Sequence, residues 1–549
     1  AVRLGFGRAV FHDGTAMRGA MEDHVADGAA LYAAPFRLTG PEAVRRGFGE
    51  ANLIPNVSAA LFRRPGDLAL YEAELWRGMR VCGDWLFYLN LMRGGLLAFE
   101  PGALSFYRIH GQNSSIAAHQ RDDFYAEHGA IAAAIARHYG RQPDARAALL
   151  ARLGQIWRGA RSDPPERLGP IFADAEAKAP QSAAKQRILM LSAGFSVGGA
   201  ESFAVSLANL LRRAGHSVSF LDCGLEPAQP ALRARLSPDI PLLSDSSDLT
   251  AILRDFDIEI AHSHHAWVDQ ALLDADPAAA ARVVTLHGMY ETLPKAQRAR
   301  LIARLGNVAD GLAAPASRNL EGLAPGRGTL IANAAEPAHA APIPRAALGV
   351  PEGAFLIALV SRAVPEKGWT EAIAATRAAR SISGRDIHLL LTGAGPEHDR
   401  LKSAALPDFV HLTGLRGDVG AIFAAADLAI LPSRYKGESY PMVILEALGA
   451  GTPVLASDLG QIAQMLTRPS RRAGEVIALK GWELDTESWA ARIAALATGE
   501  AALALMRAAI PYLLDGGDAE RMRSAYESLY QDALGRAASR AQAGSEDKE

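Results

Sequence analysis

The chain has 549 residues, 49% of them hydrophobic and 21% charged, with 57 Lys+Arg set against 60 Asp+Glu for a formal net charge of −3. That length allows three or four domains, and the near-neutral balance excludes the strong basic excess of a nucleic-acid binder. Two cysteines, Cys82 and Cys223, are too few for a disulfide framework or a zinc ribbon, so a reducing, cytoplasmic compartment is expected and Asn113-Ser114-Ser115 reads as an incidental sequon.

The chain opens at Ala1 inside an apolar run to Gly7 that reads as a strand, with no signal peptide, and is expected to be a fragment of a longer protein. No apolar run approaches the roughly 18–20 residues that span a bilayer. Residues 1–116 mix aromatic clusters with short strand-like runs. Residues 117–182 are Ala- and Arg-rich with helical periodicity, broken at Asp163-Pro164-Pro165, and read as a helical connector that ends in the Pro180-Gln181-Ser182 linker.

From Arg187 the pattern becomes strand, glycine loop, helix. Arg187 to Ser192 is a continuous apolar run of the buried parallel-strand type, followed by Gly194, Gly198 and Gly199 and an amphipathic helix from Ala200 to Arg213. Further strands are predicted at Ser217 to Asp222, Ile258 to Ala261 and Val283 to Leu286. The cycle restarts at Phe355 to Val360, with a helix from Trp369 to Arg380. Strands follow at Ile387 to Thr392, Val410 to Thr413, Leu428 to Leu431 and Pro453 to Ala456. Two such α/β cycles imply two parallel sheets, here residues 183–340 and 341–535, with a Pro-rich hinge at Ala335 to Pro344 and a ligand cleft between strand C-termini. Residues 536–549 read as a polar, disordered tail.

Two glutamates carry the strongest chemical signal. Glu438 and Glu446 stand eight positions apart; Pro441 fits a helix first turn, which leaves Glu438 in the preceding loop and Glu446 on an otherwise apolar helix. A carboxylate among Met442, Val443, Ile444 and Leu445 needs a polar partner, which a ribose diol can supply. Leu431 to Asp458 closely resembles glycosyltransferase family 4, the retaining GT-B enzymes, in its glutamate spacing, the Pro-Ser before and the Glu-Ala-x-x-x-Gly-x-Pro-Val after.

That resemblance covers about residues 187–514. It implies that Arg362, after the strand Phe355 to Val360, and Lys367, in Glu366-Lys367-Gly368, hold the diphosphate of a nucleotide-sugar donor. Arg has a planar fork for phosphate oxygens and Lys a mobile point charge. It further implies that Glu438 orients the sugar, Glu446 holds the ribose, and His287 of Thr285-Leu286-His287-Gly288 faces the sugar. Gly198 and Gly199 resemble the family's glycine loop, where backbone N–H groups approach a ligand. Their spacing is not that of a dinucleotide site. Ser317 and Asn333 resemble further family signals, with Ala334 where Gly is common. His264 and His265, without a nearby Cys or carboxylate set, read as structural or substrate-contacting rather than as a zinc site.

At the front, Asn52 to Arg64, Cys82-Gly83-Asp84-Trp85 and Tyr107-Arg108-Ile109-His110 resemble the acceptor half of glycosyltransferase family 2, the inverting GT-A enzymes. The resemblance maps a catalytic base onto Asp84, with Gly83 where Glu is usual, and a metal- or diphosphate-proximal histidine onto His110. The donor half with its Asp-x-Asp motif is absent, so a divalent metal is expected only for a complete GT-A domain; Asp255 and Asp257 begin a strand elsewhere and are incidental.

The expected function is thus a retaining transferase that moves a sugar from a nucleoside-diphosphate sugar to a glycan or lipid-linked acceptor in polysaccharide or cell-surface glycan synthesis. The GT-B site needs no cofactor and nucleic acid is not a partner. A sugar-nucleotide-binding scaffold or a GT-B epimerase are the alternatives. The resemblance implies peripheral membrane contact through the first Rossmann half, where Arg212, Arg213 and His216 offer a little positive charge that a solvated helix end explains equally well.

Overall fold

The computed structural model describes all residues except 1, 14, 18–20, 73–75, 109–117, 180–184, 197, 278–279, 335–340, 515–517 and 547–549. His110, Asn113 and the Pro180-Gln181-Ser182 linker therefore lie outside the described residues, as do residues 335–340 of the hinge.

The N-terminal part is built on a four-stranded mixed sheet of β1 (Val2–His12), β2 (Phe36–Thr39), β3 (Ala60–Phe62) and β4 (Leu96–Arg108), in the order β2-β4-β1-β3. Only β1 and β4 run parallel. The stretch expected to be a connector belongs to this domain instead. Its helices Asp122–Tyr139, Pro143–Ala160 and Leu168–Lys178 share one hydrophobic core with the sheet, from Leu4 to Phe172. Leu149, Leu153 and Trp157, spaced four apart, put one helix face into that core. Where the helix stops, Trp157 Nε1 donates to the Asp163 carbonyl at 3.0 Å and Arg161 lies 4.1 Å over the indole. Helical periodicity was legible here; that the apolar stripe had a sheet to cover was not.

The second unit, the first of two lobes (the third unit being the second lobe), is a seven-stranded parallel sheet. Its strands are β5 (Arg187–Ser192), β6 (Ser217–Asp222), β7 (Leu242–Leu243), β8 (Ile260–Ser263), β9 (Ala281–Thr285), β10 (Gly311–Ala314) and β11 (Thr329–Leu330), in the order β11-β10-β9-β8-β5-β6-β7. The third is a six-stranded parallel sheet. It comprises β12 (Phe355–Val360), β13 (Ile387–Thr392), β14 (Val410–Gly414), β15 (Leu428–Leu431), β16 (Val454–Ser457) and, beyond a small hairpin of β17 (Thr467–Arg468) and β18 (Arg471–Arg472), β19 (Gly474–Ile477). Helices cover both sheets on both faces, so the central strands are mainly apolar and buried along nearly their whole length. The expected strands fall within two residues of those observed.

The C-terminal end differs from expectation. Residues 536–546 are not a loose tail but the end of a helix, Asp518–Glu546, that crosses back from the second lobe onto the first. Tyr526, Tyr530, Ala533 and Ala537 are buried in a core shared with Ile260 and Val283, and Arg536 Nη1 donates to the Asp310 carbonyl at 2.6 Å while Arg540 pairs with the Asp310 carboxylate.

The N-terminal domain docks on the β6–β7 edge of the first lobe. Asp239 accepts hydrogen bonds from the Gly66 and Asp67 amides and the Tyr71 hydroxyl, and pairs with Arg3 at 3.7 Å. Arg93 Nε donates to Ser217 Oγ at 3.1 Å. Of the three residues expected to meet a membrane, Arg213 is exposed and the other two are enclosed by this packing. Arg212 is buried and lies over the Tyr71 ring, and buried His216 bonds Glu527 of the C-terminal helix at 2.8 Å.

Candidate functional site

The C-terminal ends of the two parallel sheets face each other across a cleft of about 350 Å³. Gly198, Gly199, His287, Arg362, Lys367, Glu438 and Glu446 all line it. Most are placed by a strand end or a helix start, where an open α/β sheet exposes backbone and side chains to a ligand; Glu438 lies in a loop and Glu446 within a helix.

Arg362 follows β12, and Lys367 ends the 3₁₀ turn Pro365–Lys367. Gly368 then takes a left-handed conformation, φ +68°, before the helix Trp369–Ser383. A Cβ there would sit 2.1 Å from the Pro432 carbonyl oxygen, so only glycine lets this turn close on the loop that carries Glu438. Lys367 Nζ donates to Glu438 Oε2 at 2.5 Å, in an almost fully buried ion pair. The Tyr435 ring faces both cations, 5.4 Å from the Arg362 guanidinium carbon and 5.2 Å from Lys367 Nζ. Two cations this near each other are tolerated because the ring and the carboxylate share their charge, and the same arrangement leaves them poised for an anion.

The Glu438 loop is tied to the first lobe. Arg318 donates to the Glu438 carbonyl at 3.2 Å and the Lys436 carbonyl at 2.8 Å, and Asn319 Nδ2 bonds Ser439 Oγ at 2.8 Å. Gly288, φ +93°, packs so close that a Cβ would stand 2.1 Å from the Gly437 carbonyl oxygen.

Glu446 sits in the helix Met442–Gly449 and its nearest cation belongs to the other lobe: Arg235 Nη1 is 3.6 Å from Oε1. Burial pushes the Glu446 carboxyl above its ordinary range, and Arg235 acts against that shift.

Gly198 and Gly199 begin the helix Gly199–Arg213. Glu201, in its first turn, folds back so that a Cβ on Gly198 would lie 2.0 Å from Glu201 Oε2, whereas Gly199 meets no such obstacle. Burial raises the Glu201 carboxyl to about 7, nearby Glu226 adding to the shift and Arg362 opposing it.

His287 follows β9. Its Nε2 lies 3.1 Å from Nδ1 of His264, and burial holds the His287 imidazole down to about 3. His264 and His265 both join the cleft wall, and His265 also caps the helix Ala266–Asp274, its Nδ1 accepting from the Trp267 amide at 3.3 Å. Asn333 Nδ2 donates to the Tyr440 carbonyl at 2.9 Å, and Gln461 reaches Ser317 Oγ at 3.5 Å, so both Asn333 and Ser317 bridge the lobes.

Asp84 is not part of this cleft. It lies in the first turn of the helix Gly83–Leu91, accepting from the Trp85 amide at 2.8 Å and from Asn52 Nδ2 at 3.3 Å, with burial raising its carboxyl. Gly83 has a steric reason: a Cβ there would be 2.6 Å from the Trp76 carbonyl oxygen. His110 lies outside the described residues.

Sequence reasoning missed Tyr435, Arg235, Glu201 and Arg318 as cleft and latch residues. Tyr435 had a signal, an aromatic between Arg434 and Lys436 just before Gly437. Arg235 had none.

Residues 354–499 match the family model described as Glycosyl transferases group 1, and residues 197–324 the one described as Glycosyltransferase Family 4. Among curated relatives, the chain is 33% identical over 117 residues to the MMP alpha-(1->4)-mannosyltransferase of Mycolicibacterium hassiacum, a match covering 20% of this chain and 28% of that protein. It is 32% identical over 132 residues to the lipopolysaccharide core biosynthesis glycosyltransferase LpsD of Rhizobium meliloti, covering 23% of this chain and 36% of that protein. The matches thus span about a third or less of the length of these two relatives. Among solved structures, Anabaena Alr3699/HepE in complex with UDP-glucose superposes with a TM-score of 0.53 at 18% identity, covering 63% of this chain and 100% of that one. A glycosyltransferase from Rickettsia africae ESF-5 does so with a TM-score of 0.50 at 17% identity, covering 64% and 99%. The two lobes that enclose the cleft therefore match the family 4 and group 1 glycosyltransferase models in chain order and adopt a GT-B fold.

Proposed function

We propose that the two-lobed unit transfers a sugar from a nucleoside-diphosphate sugar to a glycan or lipid-linked acceptor, with retention of anomeric configuration. The observation that carries this reading is the convergence of Arg362, Lys367, Glu438 and Glu446 on one interlobe cleft. UDP-glucose in the Anabaena structure and mannosyl transfer in the mycobacterial relative's name support the substrate class.

In this mechanism the bond between the anomeric carbon and the β-phosphate oxygen breaks, and a bond from that carbon to the acceptor hydroxyl oxygen forms on the same face. The hydroxyl proton passes to the departing phosphate. Arg362 and Lys367 stabilise the charge that grows on the leaving group, in a cleft where such charge is poorly screened. Glu438, released from Lys367 by the incoming phosphates, orients sugar hydroxyls; Glu446 accepts from the ribose diol; His287 contacts the sugar. The paired cations supply the neutralisation, so the step proceeds without a bound metal. Two unbridged cysteines support action in the cytoplasm, where it would work at the inner face of the membrane on a lipid-linked acceptor.

For the N-terminal domain the reading is the acceptor half of a family 2 enzyme, with Asp84 as base once a donor half is supplied. A half-buried, raised carboxyl beside Asn52 supports it.

The test is release of nucleoside diphosphate from a panel of nucleotide sugars with candidate acceptors. Acceptor-dependent release is expected. Tight binding without release on any acceptor overturns the reading in favour of a scaffold, and sugar inversion without an acceptor in favour of an epimerase.

A further inference from the structure

His262, His264 and His287 form a short ladder at the ends of β8 and β9. The His262 ring lies 4.2 Å from that of His264, and the His264 ring 5.4 Å from that of His287. Both nitrogens of His262 are engaged: Nδ1 with the Tyr530 hydroxyl and Nε2 with Thr285 Oγ1, each at 2.8 Å. Phe203 packs against the other two rings, 5.7 Å from His264 and 4.9 Å from His287.

His264 is 2% exposed and its Nε2 is enclosed without a hydrogen-bond partner. Its other nitrogen faces His287 Nε2 at 3.1 Å. Burial keeps both imidazoles neutral, so each carries one proton. One nitrogen of the facing pair donates and the other accepts, which leaves two arrangements.

If His287 Nε2 donated, the His264 proton would sit on Nε2, an enclosed N–H with no acceptor. Orphaned buried N–H groups are the rarer kind of unsatisfied polar atom. If His264 Nδ1 donates, only a lone pair is left enclosed. His287 Nε2 then accepts, and its proton sits on Nδ1, which has no protein partner among the described residues and belongs to a residue lining the cleft.

We infer that His264 is a positioning residue that locks His287 in its Nδ1–H tautomer, so that His287 presents a hydrogen-bond donor to an oxygen of the transferred sugar. The role toward a sugar rests on the function proposed above; the tautomer does not. The site would thus favour sugars with an accepting oxygen at that position, a hydroxyl or a carbonyl substituent, over deoxy analogues.

The test uses the full chain labelled with ¹⁵N-histidine, with two-bond ¹⁵N–¹H correlation spectra at pH 7.5 and His287→Asn to assign the signal. The wild type is expected to show His287 protonated on Nδ1. His264→Phe, which keeps the ring and removes the donor, is expected to move His287 toward Nε2–H and to lower kcat/KM by about tenfold, the scale of one lost hydrogen bond. His264→Asn, whose Nδ2 stands near the former Nδ1, is expected to restore the tautomer and part of the activity. A wild-type His287 protonated on Nε2, with the His264 proton turned to the Phe203 ring, overturns the inference even if His264→Phe fails to fold. An unchanged His287 pattern in folded His264→Phe overturns it as well. Nδ1–H in the wild type with no transfer from any donor upholds the tautomer and places the failure on the functional reading.

Discussion

Arg235 of the first lobe aims Nη1 at Oε1 of Glu446 in the second, 3.6 Å away, at the point where a donor ribose is proposed to bind. The separation exceeds a hydrogen bond, so the pair is loose enough for a hydroxyl to enter beside it. Burial alone would push the Glu446 carboxyl up, and Arg235 is what opposes this. The arginine thus favours the ionised form of its partner, the form proposed to accept from a diol.

Arg235→Ala is therefore expected to raise the donor KM by about fivefold, since a pair this solvent-accessible is worth ~1 kcal/mol at most. Removing the cation lets the Glu446 carboxyl rise further, so the loss should deepen as pH falls. Donor KM measured against pH checks this; a KM in the variant that stays parallel to wild type at all pH values rejects the coupling.

Lys367 and Glu438 are a different kind of pair, almost wholly out of water. Breaking such a pair from one side costs roughly 3–5 kcal/mol, because the remaining charge is stranded. Lys367→Ala should lower turnover ~10²–10³-fold and also lower Tm, whereas Lys367→Ala with Glu438→Gln should recover Tm but not turnover. Arg362→Ala breaks no direct ion pair among the described residues and should lose turnover by the same order with little change in Tm. Recovery of turnover in the double variant would remove Lys367 from the chemistry.

The split between legible and illegible residues follows this chemistry. Glu438, Glu446, Arg362, Lys367 and His287 lie in short strings whose neighbours fix their local geometry, and the sheet ends bring those strings together. Arg235, by contrast, follows a four-residue helix, Pro230–Arg233, and reaches the site only because the lobes close. No local pattern encodes that. The C-terminal helix was legible in part: Tyr526, Tyr530, Ala533 and Ala537 recur at four, three and four residues, a helical stripe hidden within an otherwise polar stretch. The helices after Asp122 had the opposite fate, read as helices but not as part of a core whose sheet partners lie over a hundred residues away in places.

Gly368 tests whether backbone shape holds the cations in place. Its φ of +68° and its approach to Pro432 leave no room for a methyl group. Gly368→Ala should cost ~1–2 kcal/mol from conformation alone, more from the clash, and should displace Lys367. A lowered Tm with weaker nucleoside diphosphate binding by calorimetry is expected; unchanged values in both would mean the turn adapts freely.

Glu201 gives stability an unusual pH dependence. Its carboxyl is raised by burial from an ordinary 4.5 to about 7, so the folded state holds the proton more tightly than the unfolded one. The stabilisation is complete below pH 4.5 and is lost progressively as pH rises through 7, a difference on the order of 3 kcal/mol. Glu201→Gln cannot ionise, so relative to wild type it should gain stability between pH 5 and 8 and change little below. Urea unfolding of both proteins across that range decides it. The carboxyl also feels Arg362, so a bound diphosphate that draws the guanidinium away should push the Glu201 pKa higher still. The gain from Glu201→Gln should then be larger with nucleoside diphosphate bound than without, and a gain that shrinks on binding would show that the carboxylate, not the acid, is the form the occupied cleft requires.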